Sequence, residues 1–347
     1  MEIRNCGASG LQLSAIGVGC WSFGGGEYWG KQDQNDADEV VRRAFDLGVT
    51  YFDTAEAYNE GRSESSLGQA IRGIPRDKIV IGTKISPSNT DPAIAPGHCE
   101  ASLKRLGTDY LDLYMVHWPI TPHSIGHFMD KQIPCPSVVE AFAALRKLRQ
   151  EGKIRYIGVS NFADPKLKEA LDTGALIAAN ELPYSLLARA IEYEILPLCE
   201  QLGIGVVGYM PLWQGLLTDR FANLDELPVW RRRTRHFAAG KNEFSRHGEP
   251  GAEEETWQAV LEVRKIAREL GQKTAEMALK WALANPGISC VLAGARTGQQ
   301  LEANAAAAAG ALPEEVVRRL GRVTETLKDK LGPSFDYFES TANDRTR

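Results

Sequence analysis

From residue 36 onward, the sequence alternates between helical and strand patterns. The strand-like runs are short, rich in valine and isoleucine, and apolar on both faces, as in parallel strands that are buried on both sides. A helix between successive strands indicates βα crossovers within one parallel sheet. The predicted strands cover residues 15–20, 49–53, 78–84, 110–117, 154–160, 175–181, 205–209 and 288–293. Eight such strands predict a (β/α)8 TIM barrel, whereas a doubly wound sheet would need about five or six strands and a different phosphate loop.

The segments between the strands predict helices that cover the outside of the barrel. They span residues 36–47, 63–72, 96–106, 137–150, 165–171, 191–202 and 253–270. Two connections, 119–136 and 211–252, are too long for simple turns. Both leave strands at their carboxyl ends, where long loops tend to carry function.

The two ends of the chain predict additions to the barrel. Residues 1–13 read as a β-hairpin that plugs the bottom of the barrel. Residues 313–347 form a C-terminal helix and tail, with 313–331 helical and 336–347 a frayed end. We therefore predict a single domain, residues 1–347.

Composition argues against several classes of partner. The net charge of −5 favours neither nucleic acid nor an anionic membrane. The sequence contains no apolar run approaching the roughly 20 residues of a membrane span, and its first residues lack the apolar core of a secretory signal. The six cysteines are scattered without a C-x-x-C pair, which is typical of a cytoplasmic protein with reduced thiols.

Three successive predicted strands lead into chemically active side chains. Asp53 ends the second strand and Tyr58 follows shortly after; Lys84 ends the third strand and His117 the fourth. A phenol is a poor acid, with a pKa of about 10, but a nearby ammonium makes it a better proton donor. Lys84 can supply that charge, Asp53 can hold Lys84 in place, and His117 can orient a substrate oxygen. None of the four is a convincing nucleophile, so the attacking group should come from a cofactor.

The remaining strand ends suggest which cofactor. Ser160, Asn161 and Glu181 offer hydrogen bonds, and Tyr209 offers a flat aromatic face. A nicotinamide ring with its carboxamide fits this set. After the last strand, Arg296 and Thr297 stand at a predicted helix N-terminus, which favours phosphate. Gln300 and Asn304 lie four residues apart on that helix and can both reach a ribose or an adenine.

With these residues in order, the sequence resembles the aldo-keto reductase superfamily, in its bacterial type, over nearly the whole chain. The motifs that carry the resemblance are Phe52-Asp-Thr-Ala, Ser63-Glu-Ser-Ser-Leu-Gly68, Gly158-Val-Ser-Asn-Phe162, Gly215-Leu-Leu-Thr218 and residues 294–304, together with the tetrad Asp53, Tyr58, Lys84 and His117. The resemblance implies an NADPH-dependent carbonyl reductase, with NADH as the alternative cofactor. It also implies that Tyr58 donates the proton and that Tyr209 stacks on the nicotinamide.

Further cofactor contacts follow from the resemblance. It implies that the backbone of residues 211–217 wraps the pyrophosphate. The residues assigned to the cofactor on this basis are Gly19, Trp21, Asp53, Pro211, Leu212, Gly215, Leu217, Arg220 and Gly294.

The chain departs from the family pattern at three places. Glu181 stands where glutamine is usual, and an ionised carboxylate accepts hydrogen bonds but donates none. Met210 replaces a common serine. Asp219-Arg220 replaces a common Gly-Lys, which transfers the expected phosphate contact to Arg220.

The substrate pocket is predicted from the aromatic residues near the strand ends. Its predicted members are Trp21, Tyr28, Tyr58, His117 and Trp118, a lining that suits a small carbonyl or sugar substrate. The basic run 231–235 reads either as a solvated loop or as a lid that closes over cofactor phosphates or an anionic substrate.

No metal site is predicted. His117, His123 and His127 have a spacing that suits two zinc ligands, but Pro122, Ser124 and Gly126 argue against the helix that would align them, and no cysteine pair accompanies them.

Two alternatives to a simple reductase remain open. The related potassium channel β subunits share the tetrad and act mainly as interaction and redox-sensing proteins. Glu181 suggests the other alternative, a sugar oxidoreductase or epimerase that keeps its cofactor bound. The sequence also leaves a homo-oligomer open.

Overall fold

The computed structural model describes residues 1–128 and 133–347 and contains a closed eight-stranded barrel. The strands of the barrel pair in parallel in the order β10-β3-β4-β5-β6-β7-β8-β9, which confirms the predicted (β/α)8 fold. The strands are β1 Ile3–Asn5, β2 Gln12–Ser14, β3 Ile16–Gly19, β4 Tyr51–Asp53, β5 Val80–Ile85, β6 Leu111–Val116, β7 Ile154–Ser160, β8 Ile177–Pro183, β9 Gly205–Tyr209 and β10 Ile288–Gly294.

Helices cover the barrel and close its hydrophobic core. They are α1 Gln34–Asp46, α2 Arg62–Ala70, α3 Ala95–Leu106, α4 Pro122–Phe128, α5 Val138–Gln150, α6 Asp164–Asp172, α7 Ile195–Leu202, α8 Glu253–Glu269, α9 Thr274–Leu283, α10 Gly298–Ala307, α11 Glu314–Val323 and α12 Glu325–Leu331. Helix α1 shows why they form. Asp33 caps its first turn, and Ala37, Val40, Val41 and Ala44 recur at helical spacing on its buried face. No helix in the two described ranges is long and apolar enough to cross a membrane.

The helices differ from the sequence prediction at three places. The prediction ran from α8 directly to the last strand and missed α9, although Met277, Ala278 and Trp281 have the spacing of a buried helical face. The argument against a helix around Ser124 was wrong, because α4 begins at Pro122, a first-turn position where proline costs no hydrogen bond. The predicted terminal helix 313–331 is two helices, α11 and α12. Residues 129–132, part of the long connection 119–136, lie outside the described residues.

The predicted N-terminal hairpin is present as β1 and β2. It turns at Gly7, whose positive φ and contact with the Gly203 backbone leave no room for a side chain. Cys6, Leu11 and Leu13 are buried in one cluster with the lower barrel interior. The hairpin therefore closes the end of the barrel opposite to the carboxyl ends of the strands.

The C-terminal tail is not frayed. Asp336, Arg345 and Thr346 are all buried. The Ala163 amide donates to the Thr346 carbonyl at 2.9 Å. Asp336 and Arg345 form a buried ion pair of 2.7 Å. These bonds hold the tail against the end of the barrel where the strands finish.

Candidate active site

The four residues of the predicted tetrad lie together at the carboxyl ends of β4, β5 and β6. Lys84 Nζ donates to Asp53 Oδ1 at 2.5 Å and approaches the Tyr58 hydroxyl at 3.4 Å. The His117 imidazole meets the Tyr58 ring edge to face, with centroids 5.4 Å apart. Register explains the meeting: Asp53 pairs with Gly82 in the neighbouring strand, and Lys84 pairs with Met115, two residues before His117.

Inside the barrel, the Tyr51 side chain lies below Asp53 and holds it in position. The Tyr51 hydroxyl donates to Asp53 Oδ2 at 3.3 Å. A side chain on Gly82 would come within 2.5 Å of that hydroxyl, and one on Gly17 within 2.8 Å of the Tyr51 ring. These two glycines therefore leave the space that Tyr51 needs to reach Asp53.

Tyr58 is held by a backbone in an unusual conformation. The next two residues, Asn59 and Glu60, have φ angles of 52° and 59°, which non-glycine residues seldom adopt. The Asn59 amide donates to the carbonyls of Trp21 and Phe23 at 2.9 Å each. This ties the Tyr58 turn to the loop that follows β3.

Burial sets the protonation states of the tetrad. It raises the pKa of Tyr58 above its usual value even though the charge of Lys84 lowers it, so the phenol keeps its proton at neutral pH. Burial opposes the charge on Lys84, but the Asp53 carboxylate outweighs this effect and raises the pKa of Lys84. Burial and the Lys84 charge hold the pKa of His117 well below its usual value, so the imidazole is neutral.

Glu181 lies nearer to the tetrad than its assignment to the cofactor suggested. Its Oε2 is 3.4 Å from Lys84 Nζ, yet that buried oxygen has no hydrogen-bond partner. Burial and the charge of Asp53 raise the pKa of Glu181 well above its usual range. Of the two carboxyl groups near Lys84, Glu181 is therefore the one that more readily holds a proton, and in that form it is a hydrogen-bond donor.

The residues predicted to hold a nicotinamide form one hydrogen-bonded group. The Tyr209 hydroxyl donates to Asn161 Oδ1 at 2.7 Å, which fixes the orientation of the Tyr209 ring. The Asn161 amide donates to the Ser160 hydroxyl at 3.0 Å and to the His117 carbonyl at 3.2 Å. The Ser160 hydroxyl donates to the Glu181 carbonyl at 3.2 Å. These bonds join the predicted cofactor site to the tetrad.

The loop after β9 has the backbone of a tight, irregular turn. Met210, Trp213, Gln214 and Gly215 all have positive φ angles. Pro211 and Leu217 are buried, Leu212 and Gly215 are half-buried, and Arg220 is exposed. On the other side, Gly19 and Gly294 are register partners at the ends of β3 and β10. Successive left-handed and right-handed residues of this kind shape anion-binding concavities.

Arg296, the predicted phosphate ligand, is bonded to another loop. Its guanidinium donates to the carbonyls of Trp29 and Lys31 and to Gln32 Oε1. The Tyr28 hydroxyl donates to Gln214 Oε1 at 2.9 Å, so the loop after β3 also reaches the loop after β9. No local sequence pattern signals these bonds, which join residues far apart in the chain.

The other residues of the Arg296 segment also bond within the chain. The Thr297 hydroxyl caps α10 by accepting from the Gln300 amide. The Gln300 side chain accepts from the Arg296 amide, and the Asn304 side chain donates to the Gly294 carbonyl. The structure places all of them at the end of β10, as predicted.

Aromatic side chains line the approach to the tetrad. Trp21 stacks on Tyr28 with centroids 4.9 Å apart and lies 5.9 Å from the Tyr58 ring. Trp118 lies under the Arg345 guanidinium at 4.0 Å from its ring centroid. Phe128, which the sequence did not indicate, lies 5.5 Å from the His117 ring. These side chains form an aromatic rim around the partly buried Tyr58.

A barrel that carries an Asp-Tyr-Lys-His group at the carboxyl ends of its strands is typical of a class of carbonyl oxidoreductases. The sequence profile of the Aldo/keto reductase family matches residues 15–325. The protein belongs to this family, and it is an enzyme of the oxidoreductase class.

Individual relatives align over most of the chain. Aldo-keto reductase YhdN of Bacillus subtilis (strain 168) is 32% identical, over 96% of this chain and 97% of its own. The NADH-specific methylglyoxal reductase of Escherichia coli (strain K12) is 33% identical, over 87% of this chain and 91% of its own. The structure of an aldo-keto reductase from Klebsiella pneumoniae in complex with NADPH superposes with a TM-score of 0.69 at 28% identity, covering 99% of this chain and 98% of its own.

Proposed function

We propose that this protein reduces an aldehyde or ketone to an alcohol, with NADPH as the reductant and Tyr58 as the proton donor. One observation carries the proposal. The buried Lys84 ammonium contacts both the Tyr58 hydroxyl and Asp53, beside the neutral His117 imidazole. This arrangement delivers a proton to an oxygen but supplies no nucleophile of its own.

Each residue of the tetrad has a separate part in the reaction. His117, being neutral, donates a hydrogen bond to the carbonyl oxygen and polarises it. The Tyr58 hydroxyl transfers its proton to that oxygen as negative charge develops there. Lys84 stabilises the phenolate that is left, and Asp53 fixes Lys84 in place as an ion.

The residues around Tyr209 fit a nicotinamide, which supplies the hydride when bound. The fit rests on the fixed Tyr209 ring and on the buried Glu181 Oε2, which has no hydrogen-bond partner in the described part of the chain. The raised pKa of Glu181 favours its protonated form, which can donate to a carboxamide oxygen as the usual glutamine would. The departure from the family residue thus preserves the donor.

Consumption of reduced nicotinamide tests this function. We expect the purified protein to oxidise NADPH, followed by its absorbance, when aldehydes, ketones or sugars are added. Methylglyoxal belongs in the panel because the E. coli relative is named for it. If NADPH bound but no carbonyl compound caused its oxidation, the protein would be a binding module and the proposal would fail.

Cofactor preference depends on Arg296, which lies at the N-terminus of α10 beside Gln32. The relatives differ here, since one is named NADH-specific and another structure contains NADPH. We expect NADPH to bind more tightly than NADH. Arg296→Gln should weaken NADPH binding roughly 10- to 100-fold, the value of charge-assisted hydrogen bonds to a 2′-phosphate, and leave NADH binding nearly unchanged. Fluorescence titration measures both.

Gln32→Ala is the matched control for this variant. It removes the two hydrogen bonds between Gln32 and Arg296, keeps those from the guanidinium to the Trp29 and Lys31 carbonyls, and leaves the guanidinium charge. An equal loss for both nucleotides is expected there. An equal loss of NADPH and NADH binding in Arg296→Gln would show that Arg296 only holds the loop in place.

A further inference from the structure

Three arginines converge above the aromatic rim from two distant parts of the chain. Arg233 and Arg246 belong to the long connection after β9, and Arg345 belongs to the C-terminal tail. Partial burial lowers the pKa of Arg246 against the raising effect of Glu339, and the charges of Arg345 and Arg233 lower it further. Contacts with one short segment bring the three together: Arg345 pairs with Asp336, Arg246 pairs with Glu339, and Arg233 lies 5.8 Å from the Phe338 ring.

The carboxylates nearby leave some N–H donors of these arginines without a hydrogen-bond partner in the part of the chain that the structure describes. Asp336 accepts from Nε and Nη2 of Arg345, and Glu339 pairs with Arg246 at 2.9 Å. Among the described residues, no carboxylate lies within ion-pair distance of Arg233. Its Nε is buried without a hydrogen-bond partner, and so is Nη1 of Arg345, a side chain only 2% exposed. Unmet buried donors cost about 1–3 kcal/mol each and are rare in folded proteins.

Arg345 and Arg233 are each separated from the tetrad by one or two side chains. Arg345 lies over Trp118, the residue after His117, and its charge is among those that act on the pKa of His117 and of Tyr209. Arg233 lies 4.8 Å from the Tyr28 ring, which stacks on Trp21 next to Tyr58. Aromatic side chains therefore connect both arginines to the tetrad.

A second set of arginines belongs to the cofactor side. Arg231 lies over Trp29, and burial together with the charges of Arg220 and Arg296 lowers the pKa of its guanidinium. Arg220 and Arg296 are the predicted phosphate contacts. Arg233, only two residues after Arg231, contacts Tyr28 and Phe338. Arg233 and Arg345 are not among the predicted phosphate contacts.

We propose that the carbonyl substrate carries an oxyanion group, a carboxylate or a phosphate, which Arg233 and Arg345 bind at the rim of the pocket. The proposal rests on the proposed reductase function and names its substrate class. Guanidinium groups suit the task, because their planar N–H donors match both oxyanions. One or two side chains separate these arginines from Tyr58. A substrate in which a short carbon chain joins the oxyanion to the carbonyl group fits that separation.

Matched substrate pairs test the proposal. One pair is 4-oxobutanoate and 4-oxobutanamide, and the other is glyceraldehyde 3-phosphate and glyceraldehyde. With NADPH saturating, we expect kcat/KM to favour the charged member of at least one pair by roughly tenfold or more. A preference within the first pair identifies a carboxylate, and a preference within the second identifies a phosphate. Turnover of the neutral members without any preference for charge would overturn this inference and leave the reductase function standing. No turnover of any member, or of the wider carbonyl panel, would overturn both.

Two variants test whether Arg233 and Arg345 cause the preference for the charged substrate. Arg233→Gln should reduce kcat/KM for the preferred charged substrate roughly 10- to 100-fold, mainly through KM, and change its neutral partner less than about twofold. Arg345→Gln alone would leave the buried Asp336 without a cation, so Arg345→Gln/Asp336→Asn is the second variant. It should show the same selective loss. Arg318→Gln, which removes one exposed charge on α11, is the control and should change neither substrate. An equal loss for both members of a pair in Arg233→Gln and in the double variant would contradict the proposal.

Discussion

Tyr58→Phe is expected to lower kcat for carbonyl reduction roughly 10²- to 10⁴-fold, the usual contribution of a positioned general acid. The phenol is protonated at neutral pH because burial raises its pKa, and it is the group that Lys84 approaches at 3.4 Å. Phenylalanine keeps the ring against His117 and Trp21 but has no proton to give. NADPH affinity should stay within about twofold, since Tyr58 is not needed to hold the nucleotide.

Tyr114→Phe is the matched control for the loss of a hydroxyl group. Tyr114 is buried, and its hydroxyl has no hydrogen-bond partner within the described residues. Its removal should leave turnover unchanged and stability equal or higher. Steady-state NADPH oxidation and a fluorescence titration measure both variants. Wild-type turnover in Tyr58→Phe would mean that another group donates the proton.

The barrel and the tetrad could be predicted because both follow from strand periodicity. Parallel strands end at the same edge of a sheet, so Asp53, Lys84 and His117, each at or next to a strand end, had to lie near one another. The short length and double-sided burial of the strands indicated their number. Only their bounds moved by one or two residues at most ends, as hydrogen-bond criteria differ there.

Contacts across the barrel interior could not be predicted in the same way. Glu181 was placed on the cofactor side because it lies near the end of β8. Its approach to Lys84 at 3.4 Å depends on the inward faces of β5 and β8 meeting across the barrel. The sequence gives the side-chain alternation of each strand but not the distance across a closed sheet. The raised pKa of Glu181 depends on burial and on the nearby Asp53, which such distances decide.

The C-terminal tail shows a second limit. Its composition resembles that of an exposed end, yet Asp336 and Arg345 are buried as a pair, and Arg345 covers Trp118. Such a segment is ordered by tertiary contacts alone, and local periodicity carries no signal of them. The substrate-binding role that we infer for Arg345 was therefore beyond the sequence pattern.

Lys84→Met is expected to abolish most turnover and to destabilise the fold by roughly 3–5 kcal/mol, as removal of one partner from a buried ion pair does. Lys84 is fully buried and bonds Asp53 Oδ1 and the Thr54 carbonyl. Burial already raises the pKa of Asp53, and without the ammonium it rises further above the unfolded value of about 3.9. Above that pH the unfolded state binds fewer protons than the folded state, so the stability of the variant falls as pH rises. Its deficit in Tm should be larger at pH 8 than at pH 5.

Two further variants distinguish the effect of an unpaired buried charge on stability from the effect of losing Lys84 on turnover. Lys84→Met/Asp53→Asn removes both ions and should regain much of the lost Tm without regaining turnover, because replacing a whole buried pair costs little. Glu181→Gln neutralises the other carboxyl group near Lys84 and keeps the Lys84–Asp53 pair. Because burial raises the pKa of Glu181 in the folded state, its carboxyl group makes the wild-type fold less stable as pH rises above about 4.3. Glutamine does not titrate and has no such effect. Its Tm at neutral pH should equal or exceed that of the wild type. Thermal melts at several pH values measure all three variants, and a Lys84→Met protein with wild-type Tm and turnover would contradict the assigned role of the ammonium.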